Sequence, residues 1–193
     1  MVQSERYPAP AVILHWAVAI LVFALVALGW WMQEIPKQPP GPRADAFNLH
    51  KSLGLVSLAL VLAFIAWRAT HSPPRLPPMP RWQARVAIAM HYLLYALIAA
   101  VALSGYLGSA YSGYPVKFFG WTLPAWAAKD IELKELMSSV HYWGSWLLTV
   151  AVLVHIGAVV KHTFVNRDAL LRRMTWKTGT APVSSPTSAL REE

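Results

Sequence analysis

The sequence predicts an all-α integral membrane protein, a four-helix bundle, and three observations carry that expectation. Of 193 residues, 56% are hydrophobic and only 13% are charged, against a charged share of roughly a quarter in soluble domains. The charges are missing from four long blocks, each close to the ~20 apolar residues that cross a hydrocarbon core of about 30 Å. Histidines recur inside those blocks, at positions 15, 50, 91, 141, 155 and 162. Ionisable groups within a span are costly and mark a functional site by default.

The first span is predicted over 10–32. No charged residue lies between Arg6 and Glu34, Pro10 suits a first helical turn, and Trp30 and Trp31 suit the far interface. A connection rich in proline comes next. The second span, 46–67, is the shortest, and Lys51 is expected to run its stem along the helix and keep its ammonium at the surface. The linker RATHSPPRLPPMPRWQAR is basic, too rich in proline for a helix, and expected along the membrane surface. The third span is predicted over 85–111, with Ser104, Gly105, Gly108 and Ser109 allowing close helix packing. The loop 112–139 carries Tyr114, Phe118, Phe119, Trp121 and Trp126 and is expected to cap the span ends. The fourth span, 138–162, should belong to a helix that starts near Asp130, because Glu132, Lys134 and Glu135 can face water. Residues 1–175 form one transmembrane domain in this reading, and 176–193 a disordered cytoplasmic tail.

Composition also excludes. Without cysteine there are no disulfides, thiolate-held iron–sulfur clusters, cysteine–zinc sites or covalent c-type haem. The net charge of +8 lies in loops and tails, which makes it a topology signal rather than a nucleic-acid surface. The first apolar block is read as a span and not as a cleaved leader. Arg68, Arg75, Arg81, Arg85, Lys161, Arg167, Arg172 and Arg173 crowd one side. The positive-inside rule then puts both termini in the cytoplasm of a bacterial inner membrane.

The fourth span organises the chain. At 1.5 Å and 100° per residue, the step from His141 to His155 covers about 21 Å and returns the second ring to within about 40° of the first. The step on to His162 adds about 10 Å and about 20°. Two imidazoles at opposite depths on one face point to two stacked metal centres, and imidazole ligands in a bilayer point to haem. A single histidine in a span is more often a helix–helix hydrogen bond than a ligand, but here the depths match in sets. His50 and His141 are the outer pair. The inner set is His15, His91, His155 and His162, from which His15 and His155 are taken as ligands with His91 as competitor. A zinc or copper ion is the other metal option, and the about 21 Å between His141 and His155 argues against one shared ion. Gly54, Gly144 and Gly157 lie near these ligands in sequence and are expected to make room for a porphyrin. His71, in the proline linker, is expected to be exposed.

The motifs LHW at His15, NLHKSLG at His50, AMHYLLYALIAAVALSGYL at His91 and VHYWGSWLLTVAVLVHIGAVVKHTF together resemble the prokaryotic cytochrome b561 family, over about 6–175. The family holds small free-standing di-haem proteins and longer cytochrome b subunits of hydrogenases and formate dehydrogenases. The resemblance implies two haem b groups and transmembrane electron transfer. Iron ligands on the first, second and fourth spans match His15, His50, His141 and His155. It implies ubiquinone as acceptor near the cytoplasmic haem, where His162 and His91 are candidates for the quinone site. The nearest likeness is to small members of superoxide oxidase type, which pass electrons from periplasmic superoxide to the quinone. Lys51, Lys117 and Arg43 are then candidates for steering that anion. Membrane lipid and an electron-donating protein are the remaining partners to consider, the latter in the alternative role of a carrier subunit for a dehydrogenase or hydrogenase.

Overall fold

The computed structural model describes residues 6–39, 41–76, 78–168 and 170–175; the predicted tail at 176–193 lies outside them. Four helices dominate: α1 (Ala9–Glu34), α2 (Pro42–Thr70), α3 (Arg81–Ala110) and α4 (Ile131–Val160). All four are long and apolar enough to cross a membrane, and at 1.5 Å per residue the shortest spans about 39 Å.

Each helix outruns its predicted span, for local reasons. α2 starts at Pro42 rather than at 46 because proline needs no amide partner in the first turn, and Gly41, at φ 128°, makes the turn that feeds it. α4 starts early on an N-cap, with the Asp130 carboxylate accepting from Leu133 N at 3.0 Å. Beyond Val160 the helix changes to a π turn, Lys161–Val165. A short 3-10 turn, Leu171–Met174, ends the described chain.

In the bundle α1 packs on α2, α2 on α3 and α3 on α4, while α1 and α4 approach each other less closely. The buried core is a thin apolar layer of Val18, Val22, Val61, Leu94, Ile98, Leu148 and Ala151. The outer faces are as greasy as the core: Ile20, Trp143 and Leu153 are more than 60% exposed, as lipid contact requires. Small buried polar residues, Ser57 and Ser104, let the helices come close without leaving bulk in the seam.

The capping loop contains a two-strand hairpin, β1 (Lys117–Phe118) and β2 (Trp121–Thr122), paired Phe118 to Trp121. Its two turn residues, Phe119 and Gly120, both have positive φ, 46° and 91°, the geometry that matches strand twist in tight hairpins. Phe119 is held in this unfavourable region by Ser52, whose Oγ accepts from Phe119 N at 2.9 Å while donating to Asn48 O at 2.8 Å. The hairpin is therefore latched to α2 close to His50.

Candidate functional site: two histidine clusters

Unbroken α4 geometry puts His141 and His155 about 21 Å apart along the helix, with the apolar layer between their levels. Each then meets partners from other helices. The end holding both described chain ends is called here the termini end, and the other the hairpin end.

At the hairpin end, the rings of His50 and His141 stand with centres 6.1 Å apart and planes at 81°. His141 Nδ1 lies 2.8 Å from the carbonyl of Val101 on α3. A carbonyl only accepts, so Nδ1 carries the proton and Nε2 keeps its lone pair for a metal. His50 Nδ1 is buried without a hydrogen-bond partner, an expensive state that calls for a bound group. Backbone closeness sets the ring positions. A Cβ added at Gly105 would sit 2.8 Å from His141 Nδ1, and one at Gly29 would sit 3.4 Å from His50 Cε1.

At the termini end, His91 and His155 have ring centres 5.2 Å apart at 82°, and His15 lies within electrostatic reach of both. His91 Nδ1 donates to Ala87 O at 2.7 Å, one turn back on its own helix. His15 Nδ1 is the second buried nitrogen without a partner, and the His15 ring meets Trp16 edge to face. His162 is further out, its Nδ1 2.5 Å from Asp168 Oδ2.

These donor sets fit a haem better than a bare ion. Among the described residues no three His, Asp or Glu side chains converge to hold a metal directly, whereas a haem iron needs only axial ligands from the protein. With metal–imidazole bonds of about 2 Å, two rings on opposite sides of one iron have centres about 6 Å apart. The His50–His141 separation of 6.1 Å meets that requirement. The His91–His155 separation of 5.2 Å is about 1 Å short of it.

Other predicted residues have distinct surroundings. Arg43 donates from Nη1 to the carbonyls of Gln33 and Ile35, at 2.8 and 2.5 Å, and lies over the Phe47 ring. Its guanidinium thus caps the C-terminal end of α1. Lys51 is half-buried on α2. Lys117 borders a cleft of about 250 Å³ that also touches Asp45, Asn48, Ser52 and Phe119. His71 is exposed and stacks on Trp67 with ring centres 3.7 Å apart. The glycines singled out from the sequence act otherwise. Gly144 makes room for Val101 Cγ2, at 3.0 Å, and Gly54 and Gly157 have nothing within 4 Å. Gly29 and Gly105, which do seat ligand rings, lie on other helices, and no spacing along the chain relates them to His50 or His141.

Two unpaired imidazoles at two depths of a four-span bundle define a membrane haem protein, and comparison with known proteins agrees. The model of the prokaryotic cytochrome b561 family matches residues 6–177, and the chain belongs to that family. It is 35% identical to cytochrome b561 homolog 2 of Escherichia coli (strain K12), over 90% of this chain and 93% of that protein. It is 27% identical to cytochrome b561 homolog 1 of the same organism, over 88% and 97%. A probable Ni/Fe-hydrogenase B-type cytochrome subunit of Cupriavidus necator is 21% identical, over 87% of this chain and 83% of that subunit. The chain is thus a multi-pass bacterial membrane cytochrome that carries b-type haem and works in transmembrane electron transfer.

Proposed function

We propose that the chain holds two b haems and conducts electrons between them, from superoxide outside the cell to ubiquinone at the cytoplasmic end. The observation that carries the two-haem reading is the pairing of His50 with His141 at 6.1 Å, on a helix whose next histidine, His155, lies about 21 Å further along. His50 and His141 are the ligands of one haem. His15 and His155 are assigned to the other, since His15 has the orphaned ring nitrogen and the His91–His155 spacing is short for two axial ligands. Haem supplies reversible one-electron transfer when bound. The protein's part is to fix the rings, keep water out with the valine–leucine layer, and handle substrate charge and protons.

The cation-rich termini end is the cytoplasmic side by the positive-inside rule. The hairpin end then faces the periplasm, and Lys51 and Lys117 are the residues proposed to steer an anionic donor, aided by the positive charge of Arg43. Asp45 shares the cleft with Lys117 and weakens the field there, so Lys51, next to His50 in the chain, has the larger role. Cationic clefts raise encounter rates by about 10–10³ in a salt-dependent manner. At the termini end, His162, with His91 as second candidate, serves the quinone.

A superoxide pulse on the oxidised protein tests this reading. Lys51→Glu with Lys117→Glu should slow haem reduction about tenfold or more at low salt and leave reduction by ubiquinol unchanged. Equal superoxide kinetics in the folded double variant across the salt range count against superoxide as donor. The kinship with a hydrogenase B-type subunit favours a second reading, a carrier subunit fed by a separate dehydrogenase or hydrogenase. Co-purification of a stoichiometric iron–sulfur partner would establish that alternative.

A further inference from the structure

The end of α4 is built to bring a carboxylate onto His162. The π turn over Lys161–Val165 leads into Asn166 and then Arg167, whose φ of 52° reverses the chain. Asp168 then folds back. Its amide donates to the His162 carbonyl at 3.1 Å, Oδ2 meets His162 Nδ1 at 2.5 Å, and Oδ1 accepts from Leu170 N at 3.3 Å. The Asn166 side-chain amide approaches the same Nδ1 at 3.2 Å. The pair is sheltered, with side-chain exposures of 18% and 25%.

The segment after Asp168 is fastened to the rest of the bundle. Arg173 is 2% exposed. Its Nη2 donates to Arg75 O at 2.7 Å, its guanidinium lies over the Tyr7 ring, and its carbonyl accepts from Tyr7 N at 3.2 Å. Trp16, the neighbour of His15, donates from Nε1 to Met174 O at 2.7 Å. This segment is thus a strap tying the Asp168 turn to the first turns of α1. A π segment is uncommon and recurs at functional sites, and here it sets the position from which His162 meets Asp168.

We propose that Asp168 is a positioning residue that makes His162 the proton donor to the quinone; this rests on the reading that a quinone is reduced at this end. A carboxylate on Nδ1 fixes the proton there, directs Nε2 away from it, and stabilises the imidazolium. Reduction of a quinone to its quinol takes two electrons, delivered through the protein from the outer donor, and two protons. In each protonation the His162 Nε2–H bond breaks as an O–H bond forms on a quinone oxygen. The neutral ring keeps its Nδ1–H on Asp168 and regains a proton from water at the bundle rim, ready for the second transfer.

The test uses the purified full-length protein. Nitrogen-15 NMR of labelled histidine reads the His162 tautomer without turnover. The wild type should have Nδ1–H, and Asp168→Ala should move the proton toward Nε2. In single-turnover reduction of a soluble ubiquinone analogue, Asp168→Ala should be slower by about 10- to 100-fold, the usual cost of losing such an orienting partner. Asp168→Glu should regain most of the rate, and the haem spectra should stay those of the wild type. An unchanged tautomer, or an unchanged rate beside a slow His162→Ala, overturns the role of Asp168 alone. A wild-type rate in His162→Ala overturns the quinone reading itself.

Discussion

The two ends of the bundle solve the same problem differently. At the hairpin end two histidines face each other, one anchored by a carbonyl of a third helix and both seated against glycines. At the termini end His15, His91 and His155 share a neighbourhood, and His162 stands outside it with its own carboxylate. A site with no spare imidazole can do little besides hold its iron. A site with extra imidazoles and a nearby carboxylate can also accept and release protons. The contrast fits electron entry at one end and a proton-coupled acceptor at the other.

The largest effects should separate His15 from His91. His15→Ala should empty the termini-end haem and leave the hairpin-end one. His91→Ala, which removes a ring bound to its own helix through Ala87, should keep both. A pyridine haemochrome assay on each variant checks this, and loss of a haem in His91→Ala with two retained in His15→Ala would exchange their roles.

Next comes the seat of His141. Gly105→Ala places a methyl 2.8 Å from the ring, closer than real contacts allow, so the ring must turn and give up Val101. Overpacking of this kind costs about 1–3 kcal/mol. Occupancy of the hairpin-end haem should fall severalfold, with the termini-end spectrum intact. Gly29→Ala is the mild counterpart. Its methyl meets His50 at 3.4 Å, so the absorbance maximum of that haem should shift slightly while both haems remain.

The smallest effect concerns the layer between the ends. Val61 is fully buried, and Val61→Ala removes two methyl groups. It should lower thermal stability measurably, by about 1–2 kcal/mol at ~0.8 kcal/mol per buried carbon, with little effect on haem content at either end. Haem loss confined to one end would mean that the layer supports one site more than the other.

The spans and the depth of each histidine are legible in the sequence, because apolar length and a 3.6-residue period are local properties. Facing partners are readable for the same reason: His50 and His141 are the two histidines at their depth. The features that escape a sequence reading depend on backbones meeting across helices. Gly29 and Gly105 seat ligands on other helices, and the Val101 carbonyl sets a tautomer that no residue type announces. Arg43 reads as a free surface cation, yet its guanidinium caps α1, an interaction fixed by how the first connection folds. Asp168 escapes because the six-residue step from His162 has helical meaning only if the helix continues. A π turn and a left-handed Arg167 replace that continuation.

The central claim is that α4 supplies one ligand to each of two haems, and haem stoichiometry tests it most directly. Haem per polypeptide, measured on the purified wild type beside His141→Ala and His155→Ala, should be about two, one and one, since each variant deletes one ligand of one bis-histidine site. The haem left in each single variant should have a different reduced-minus-oxidised spectrum. One haem in the wild type, or two retained in either variant, would contradict the account.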